Sequence, residues 1–190
     1  MRSPLIAALA VLAVTPLSSC GDKSPDATTA EKGSDQVSSG TLASEIGSAA
    51  GMSTVAAGLK GTGLAGIFDG TAPYTMLAPD DDAFGALGEA GTMLKAPENG
   101  AAMAEVLKAH ILPGYVTVAD IDKAIKAARG KPVKMKTMDG DELSFARNGE
   151  ALTVTAEDGS TAKVDGNELA ASNGVAIPID AVLKRVPSSG

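Results

Sequence analysis

The sequence predicts an α+β domain in which a helical first half precedes a strand-rich second half. Apolar residues recur at helical spacing between Leu42 and Ile125, whereas short segments with strand character dominate from Val133 onwards. Three Asp-Gly or Asn-Gly pairs separate the first four of these segments, and such pairs supply the positive φ that tight hairpins need. Helices followed by strands are typical of α+β folds, in which helices cover one side of an antiparallel sheet.

The N-terminal segment Met1–Ser19 is predicted to be a lipoprotein signal peptide. Arg2 supplies a positive charge, and Leu5–Val14 is an apolar run of 10 residues, too short to span a bilayer but typical of a signal-peptide core. Leu17–Cys20 (LSSC) resembles the bacterial lipobox, in which cleavage precedes a lipidated Cys. Cys20 is the only Cys, so an internal disulfide is excluded. The alternative is an unmodified Cys20 after a standard cleavage site.

The segment Asp22–Gly40 is predicted to be a disordered tether. Val37 is its only large apolar residue, so it cannot bury enough surface to offset the entropy of ordering. Nineteen such residues reach roughly 25 Å, enough to lift a domain clear of lipid head groups. By resemblance to the sorting rule of Gram-negative lipoproteins, Gly21 after Cys20 implies the outer membrane, at its periplasmic face or the cell surface.

The composition restricts the classes of partner. The net charge of −7 becomes −8 when Arg2 is removed with the signal peptide, and an acidic surface repels phosphate backbones. Nucleic acid is therefore not expected as a partner, and docking onto anionic lipid through protein charge is disfavoured. With no Trp, 3 Phe and 2 Tyr, a stacking platform for sugars or bases is poorly supported.

The first half is predicted to contain five helices and one strand. Each of the first four helices begins at a polar residue that can accept a hydrogen bond from the next turn. These predicted caps are Thr41, Ser53, Asp80 and Asn99. The fourth helix carries its apolar stripe to Ile111 and ends at Pro113, and the fifth spans Val118–Ile125. Before the third helix, Tyr74–Ala78 is a short apolar strand that Pro79 ends.

The second half is predicted to be an antiparallel meander with one further strand. The hairpins turn at the three pairs that begin with Asp139, Asn148 and Asp158. The predicted strands are Val133–Thr137, Glu142–Ala146, Leu152–Thr155, Thr161–Val164 and, after a gap, Val175–Ile179.

Three segments together resemble signatures of the fasciclin domain family. They are Tyr74–Phe84 (YTMLAPDDDAF), Val106–Gly114 (VLKAHILPG) and Asn173–Pro187 (NGVAIPIDAVLKRVP), in the family's order and spacing. The resemblance covers Thr41–Pro187 and leaves 188–190 as a tail. It implies an antiparallel β-sandwich-like core wedged against a helical layer, with roles in adhesion or surface binding and no common catalytic activity.

The chain departs from the family pattern in two places. Ala109-His110 stands where the family usually has Tyr-His, so the ring associated with adhesion in animal members is absent. Ala176–Pro178 fills a stretch that usually carries a His.

Catalytic and metal sites are not expected. His110, the only His, lies on an apolar helical stripe, and it is more simply a buried helix-end residue than a catalytic base. Ser144, Ser160 and Ser172 do not lie in a nucleophile elbow. Asp80–Asp82 lacks the closing Glu of a calcium loop and is better suited to helix capping. We therefore expect no metal, no cofactor and no enzymatic activity.

The resemblance implies a contact region where the family's signatures converge. We expect partner-binding residues between Ala109 and Tyr115, and in the loop before Ala176. The specific candidates are His110, Ile111, Leu112 and Tyr115. Asn173 and Asp180 are expected to be structural, with the Asp180 carboxylate bonding backbone donors near the Asp80 cap.

Two functional hypotheses follow. The first is a membrane-anchored, extracytoplasmic binding or adhesion module without catalysis, held to the membrane by lipid on Cys20 and presented to an unknown protein or surface polymer. The second is a periplasmic protein that binds a small ligand or lipid, which requires an apolar cavity of a few hundred Å³.

Overall fold

The computed structural model describes residues 38–184, which form six α-helices and eight β-strands. The helices are α1 (Leu42–Ser48), α2 (Ser53–Gly61), α3 (Asp81–Ala86), α4 (Glu89–Leu94), α5 (Gly100–Ala109) and α6 (Val118–Ala127). The strands are β1 (Tyr74–Pro79), β2 (Ile111–Pro113), β3 (Val133–Lys136), β4 (Glu142–Asn148), β5 (Ala151–Ala156), β6 (Thr161–Lys163), β7 (Leu169–Ala171) and β8 (Gly174–Ile179). The predicted α+β class is confirmed. The predicted signal peptide, Cys20 and the predicted tether up to Val37 lie outside the described residues.

The strands form two four-stranded sheets. The first sheet has the order β2-β1-β8-β7, and the second has the order β3-β4-β5-β6. Every pair in the second sheet is antiparallel, which confirms the predicted meander. Its turns contain Gly140, Gly149 and Gly159, all at positive φ. Local turn chemistry therefore determines this sheet.

The first sheet contains one parallel pair, which corrects the antiparallel strand direction within the sandwich-like core that the resemblance implies. Its two central strands, β1 and β8, run parallel, with Tyr74 opposite Gly174 and Pro79 opposite Ile179. Parallel neighbours need a long crossover, and most of the domain connects these two strands. Both are buried along nearly their whole length, as is typical of strands covered on two faces.

The core has two parts because alternate residues of the first sheet point to opposite faces. Met76 and Ile111 pack against helices α1–α5, together with Phe84 and Leu107. On the other face lie Leu77, Leu112 and Ile177, which pack against α6 and the inner face of the second sheet. The first sheet therefore lies between a helical layer and a second sheet, as the resemblance implies.

The end of α5 differs from the predicted helix. The helix ends at Ala109, and Ile111–Pro113 form strand β2 rather than a last helical turn. Met76 pairs with Ile111 across the β1–β2 ladder. Pairing with a strand that lies roughly 30 residues or more away in the chain therefore overrides the helical period of the sequence, because tertiary contacts outweigh local propensity. Strand β7 was not predicted; it is only 3 residues long.

Two of the predicted helix caps are confirmed, and two are wrong. The side chains of Thr41 and Asp80 accept hydrogen bonds from Ser44 N (3.4 Å) and Ala83 N (2.6 Å). Ser53 does not cap α2 but lies in its first turn. Asn99 occupies the cap position of α5, but its side chain donates to the Met93 carbonyl (2.8 Å) instead.

Helix α2 is capped by a residue from another helix. The Asp81 carboxylate accepts hydrogen bonds from Ser53 N (3.2 Å), Ser53 Oγ (2.8 Å) and Thr54 N (2.7 Å). Burial raises the pKa of Asp81, but these hydrogen bonds from Thr54 and Ser53 outweigh it and lower the pKa to about 2. Asp81 therefore links the start of α3 to the start of α2.

The last residues of the predicted tether belong to the folded domain. Ser38 N donates to the Ala170 carbonyl (2.9 Å), and Ser172 N donates to the Gly40 carbonyl (3.0 Å). The prediction of disorder is therefore wrong for Ser38–Gly40, because these residues pair with the outer edge of β7. The chain joins the domain along this edge of the first sheet.

Candidate functional site

His110 is fully buried where α5 meets β2. Its exposed fraction is 0%, and both ring nitrogens are bonded to the backbone. Because an amide N–H can only donate, Leu183 N donates to Nε2 (2.8 Å), and the proton must then lie on Nδ1. Nδ1–H donates to the Val106 carbonyl (2.7 Å). The neutral ring thus joins α5 to the C-terminal part of the domain.

Burial determines the protonation state of His110. It lowers the pKa of the ring to about 4, although the Val106 carbonyl and the charge of Asp139 act in the opposite direction. Since Val106 and Leu183 occupy both nitrogens, the ring has no free atom with which to activate a Ser hydroxyl.

Burial also corrects most of the expected contact region. His110, Ile111 and Leu112 have exposed fractions of 0%, 0% and 1%. Their side chains pack into the core or bond to the backbone, so in this conformation they cannot contact a partner. Of the four candidates, the structure leaves Tyr115 exposed.

Tyr115 is presented on a turn that a buried hydroxyl holds in place. The Thr75 hydroxyl, on β1, donates to the Gly114 carbonyl (2.9 Å) and accepts from Val116 N (2.8 Å). Gly114 has a φ of 106°, which favours glycine, and its N–H donates to the Pro73 carbonyl (2.9 Å). The turn is therefore attached to the first sheet on both sides of Tyr115, whose exposed fraction is 38%.

The far side of this turn is fixed by the start of α6. Thr117 and Asp120 form a reciprocal capping box, and the Glu168 carboxylate accepts from Val118 N (2.8 Å). Burial raises the pKa of the Tyr115 hydroxyl, and the charge of Glu168 raises it further. The phenol is therefore neutral at physiological pH and can donate a hydrogen bond to a partner.

Sequence reasoning missed Thr75 and Glu168. Thr75 is a single polar residue within the apolar segment YTMLA, and a buried hydroxyl must find a partner. That mismatch is a usable signal. Glu168 carries none, because its role depends on a contact with Val118 across 50 residues of chain.

Asn173 and Asp180 have the structural roles expected of them, with one change of partner. Asn173 Oδ1 accepts from Leu42 N (2.8 Å), and its amide donates to the carbonyls of Phe68 (2.5 Å) and Gly70 (2.7 Å). The Asp180 carboxylate accepts a hydrogen bond from Lys163 N (2.6 Å). It therefore joins the end of β6 to the residue after β8, rather than bonding the region of the Asp80 cap.

A groove of about 420 Å³ opens on the helical side of the domain. Helices α2 and α5 and the segment after α4 form its walls, lined by small and apolar residues that include Ala57, Gly58, Leu94 and Met103. Its size lies in the range of small-ligand sites. Lys95 contributes the positive charge to its lining.

Within residues 38–184, no group of three or more His, Cys, Asp or Glu side chains is placed to hold a metal ion. Over the same range, no helix has the length and apolar character needed to cross a bilayer.

Comparisons with known proteins agree with this architecture. A family model described as Fasciclin domain matches residues 50–185. Protein sll1483 of Synechocystis is 34% identical over 137 residues, which cover 69% of this chain and 66% of that protein. The solved structure of a FAS1 domain pair from the insect cell adhesion molecule fasciclin I superposes with a TM-score of 0.67 at 17% identity, covering 78% of this chain and 52% of that one. The chain thus spans just under two thirds of the first protein and about half of the second, and the likeness to the second shows the fold alone.

Proposed function

This chain belongs to the fasciclin domain family, and on that basis we propose that it is an extracytoplasmic binding module held to the membrane by lipid on Cys20. Fasciclin domains are cell-adhesion-type modules and are generally non-enzymatic. Each CH₂ group of a lipid chain that is buried in the bilayer contributes roughly 0.8 kcal/mol of binding free energy, so two or three chains would anchor the domain stably. Many copies on one membrane would convert weak individual contacts into avidity.

The observation that best supports a binding role is Tyr115, an exposed aromatic residue on a turn that hydrogen bonds hold in place. An aromatic ring supplies a large contact area at low entropic cost, and Tyr is enriched at binding hot spots. The bonds from Thr75 hold this turn before any partner arrives, so little ordering entropy remains to oppose association. We infer that the turn Pro113–Thr117 contacts a protein or surface polymer.

Replacing Tyr115 with Ala is expected to weaken adhesion by at least about tenfold. The measurement compares cells that carry the wild type or the variant in their envelope, for binding to the surface that the wild-type cells adhere to. The free energy of unfolding should fall by no more than about 1 kcal/mol, because the ring is only partly covered by the protein. Met93→Ala is the matched control, since Met93 is the other exposed large apolar residue of the described chain, with an exposed fraction of 39%. Equal binding by Tyr115→Ala and wild-type cells would remove the turn from the proposal.

Cys20→Ala is expected to shift the protein from the membrane fraction to the soluble fraction. Without the thiol no acyl chain can be attached, and the described domain contains no bilayer-spanning helix. Incorporation of a clickable fatty acid by the wild type, and its absence from the variant, measures the same step chemically. Ser19→Ala is the control, because it keeps the thiol. A variant that stays in the membrane and is still labelled contradicts the anchor.

A second candidate function is favoured by the groove between α2 and α5. Its volume of about 420 Å³ meets the requirement for a small-ligand or lipid-binding protein. Native mass spectrometry of protein extracted from its own membrane distinguishes the two candidates. A small molecule that co-purifies with the wild type and is lost in Ala57→Leu, which fills the groove, supports this second function; an unliganded mass throughout argues against it.

A further inference from the structure

The basic residues of this acidic protein are concentrated in one segment. Residues 123–136 contain six Lys or Arg and no acid, although the whole chain has a formal net charge of −7. All six side chains are exposed. They are Lys123, Lys126, Arg129, Lys131, Lys134 and Lys136.

The fold places this segment along one edge of the second sheet. Ile121 and Ile125 of α6 are buried, which turns Lys123 and Lys126 towards solvent. On β3, Val133 and Met135 pack towards the core. Lys134 and Lys136 therefore point to the opposite, outer face of the sheet.

The outer face next to β3 consists mainly of hydroxyls. The register puts Lys134 in one row with Ser144, Thr155 and Thr161. In the adjacent row, Ala146 and Thr153 lead to Lys163 on β6. Directly opposite residues of antiparallel strands share a face, so the rows form a four-stranded hydroxyl floor with Lys on both edges.

Three acids next to this surface, Asp120, Asp122 and Glu142, already have cationic partners. Asp120 bonds Lys123 (3.1 Å) and Asp122 bonds Arg147 (2.7 Å). Glu142, at one end of the floor, bonds Lys134 (3.1 Å). Its backbone N–H donates to Glu157 (3.2 Å), so the acids of this face collect at that end. Among the described residues, no carboxylate lies within 4.0 Å of the charged groups of Lys126, Arg129, Lys131 or Lys136.

Arg129 adds an independent observation. Its φ is 59°, and it is the only non-glycine residue at positive φ in the described chain. This position follows the C-cap of α6, where glycine is the usual residue because a side chain there costs backbone energy. A strained Arg beside five exposed Lys indicates that the charge itself is used.

We propose that the basic surface, defined as Lys126, Arg129, Lys131, Lys134, Lys136 and Lys163 with the hydroxyl floor, binds an acidic polysaccharide. Ammonium and guanidinium groups pair with its carboxylates, and the Ser and Thr hydroxyls bond its hydroxyls. The floor carries no large apolar side chain that could insert into a bilayer, which disfavours a lipid surface. The surface is separate from the Tyr115 turn and adds a second partner class to the proposed binding module.

The test measures binding of the full-length protein, extracted in non-ionic detergent, to immobilised polygalacturonate, with neutral dextran as the blank. Lys131→Gln/Lys134→Gln/Lys136→Gln is expected to lose about tenfold in affinity, and wild-type binding should weaken as salt rises. Lys60→Gln/Lys95→Gln/Lys108→Gln makes the same change in net charge on the helical side and should bind like the wild type. Tyr115→Ala should also bind polygalacturonate normally, which separates failure here from failure of the proposed function.

Arg129→Gly removes a positive charge from the basic surface without an expected loss of stability, so a fall in affinity cannot be attributed to unfolding. Relief of the strained φ should leave the melting temperature equal or higher, while affinity for polygalacturonate falls. Equal losses in both triple variants, or tighter binding to single-stranded DNA or to vesicles containing phosphatidylglycerol, would overturn the proposal. So would a Lys131/Lys134/Lys136 variant that aggregates yet binds normally, since the lysines would then only protect the edge of β3.

Discussion

Replacing His110 with Ala is expected to lower the free energy of unfolding by about 3 kcal/mol, measured by urea denaturation at pH 7.5. The change opens a cavity at a fully buried site and leaves Leu183 N without its acceptor (2.8 Å in the native structure). It also removes the donor to the Val106 carbonyl. His110→Gln can still accept from an amide and donate to a carbonyl, so its loss should be smaller.

The same residue should make stability depend on pH. Burial lowers the pKa of folded His110 to about 4 from an ordinary value of 6.5, so the unfolded chain binds the extra proton first. Stability is therefore complete above about pH 6.5 and falls as the pH decreases towards 4, by about 2 kcal/mol at pH 5 and about 3 kcal/mol at pH 4.

The window from pH 6.5 to 5 isolates this effect. His110 is the only His in the chain, and no other side-chain type has an ordinary pKa between about 5 and 6.5. The stabilising contribution of Asp81, whose pKa is lowered to about 2, is lost only when the pH falls from 3.8 towards 2. His110→Gln should be flat between pH 6.5 and 5; an equal slope in the wild type and the variant would show that the ring does not titrate in this way.

Asn173→Ala is expected to cost about 3 kcal/mol of stability, because one side chain makes three hydrogen bonds at roughly 1 kcal/mol each. It accepts from Leu42 N at the start of α1 and donates to the carbonyls of Phe68 and Gly70. These bonds join the first helix, the 3₁₀ turn Leu64–Phe68 with the residues after it, and the turn before β8. Truncation therefore leaves one donor and two acceptors without this partner at the same junction.

Two variants make this measurement specific. Asn173→Asp keeps the acceptor for Leu42 N but removes both donors, so the loss attributable to Phe68 and Gly70 should remain. Ser172→Ala removes a single exposed bond to the Gly40 carbonyl (2.9 Å) and should cost less than about 1 kcal/mol. Similar midpoints for Ser172→Ala and Asn173→Ala in urea denaturation would show that the three bonds contribute no more than one.

These two residues change how the family signatures are understood here. His110 and Asn173 were prominent in the sequence because they belong to signature segments, yet both are engaged with the protein's own backbone. At these two positions the signature residues therefore stabilise the fold and are not available to a partner. The surfaces proposed for binding, the Tyr115 turn and the basic surface, lie at exposed positions next to the signatures or outside them.

The sequence by itself determined the features that depend on near neighbours. The hairpins of the second sheet follow from Gly at positive φ between alternating strands, and the Thr41 and Asp80 caps bond amides three residues ahead. The signal peptide, the lipidation of Cys20 and the tether up to Val37 remain predictions from sequence alone, because these residues lie outside residues 38–184.

The tertiary structure decided whatever depends on residues distant in the chain. Three features require partners that local periodicity does not encode. They are the parallel pairing of β1 with β8, the strand that begins at Ile111, and the capping of α2 by Asp81. The bond between Leu42 and Asn173 spans 131 residues. For the same reason, burial rather than motif identity excluded His110, Ile111 and Leu112 from the contact surface and left Tyr115 exposed.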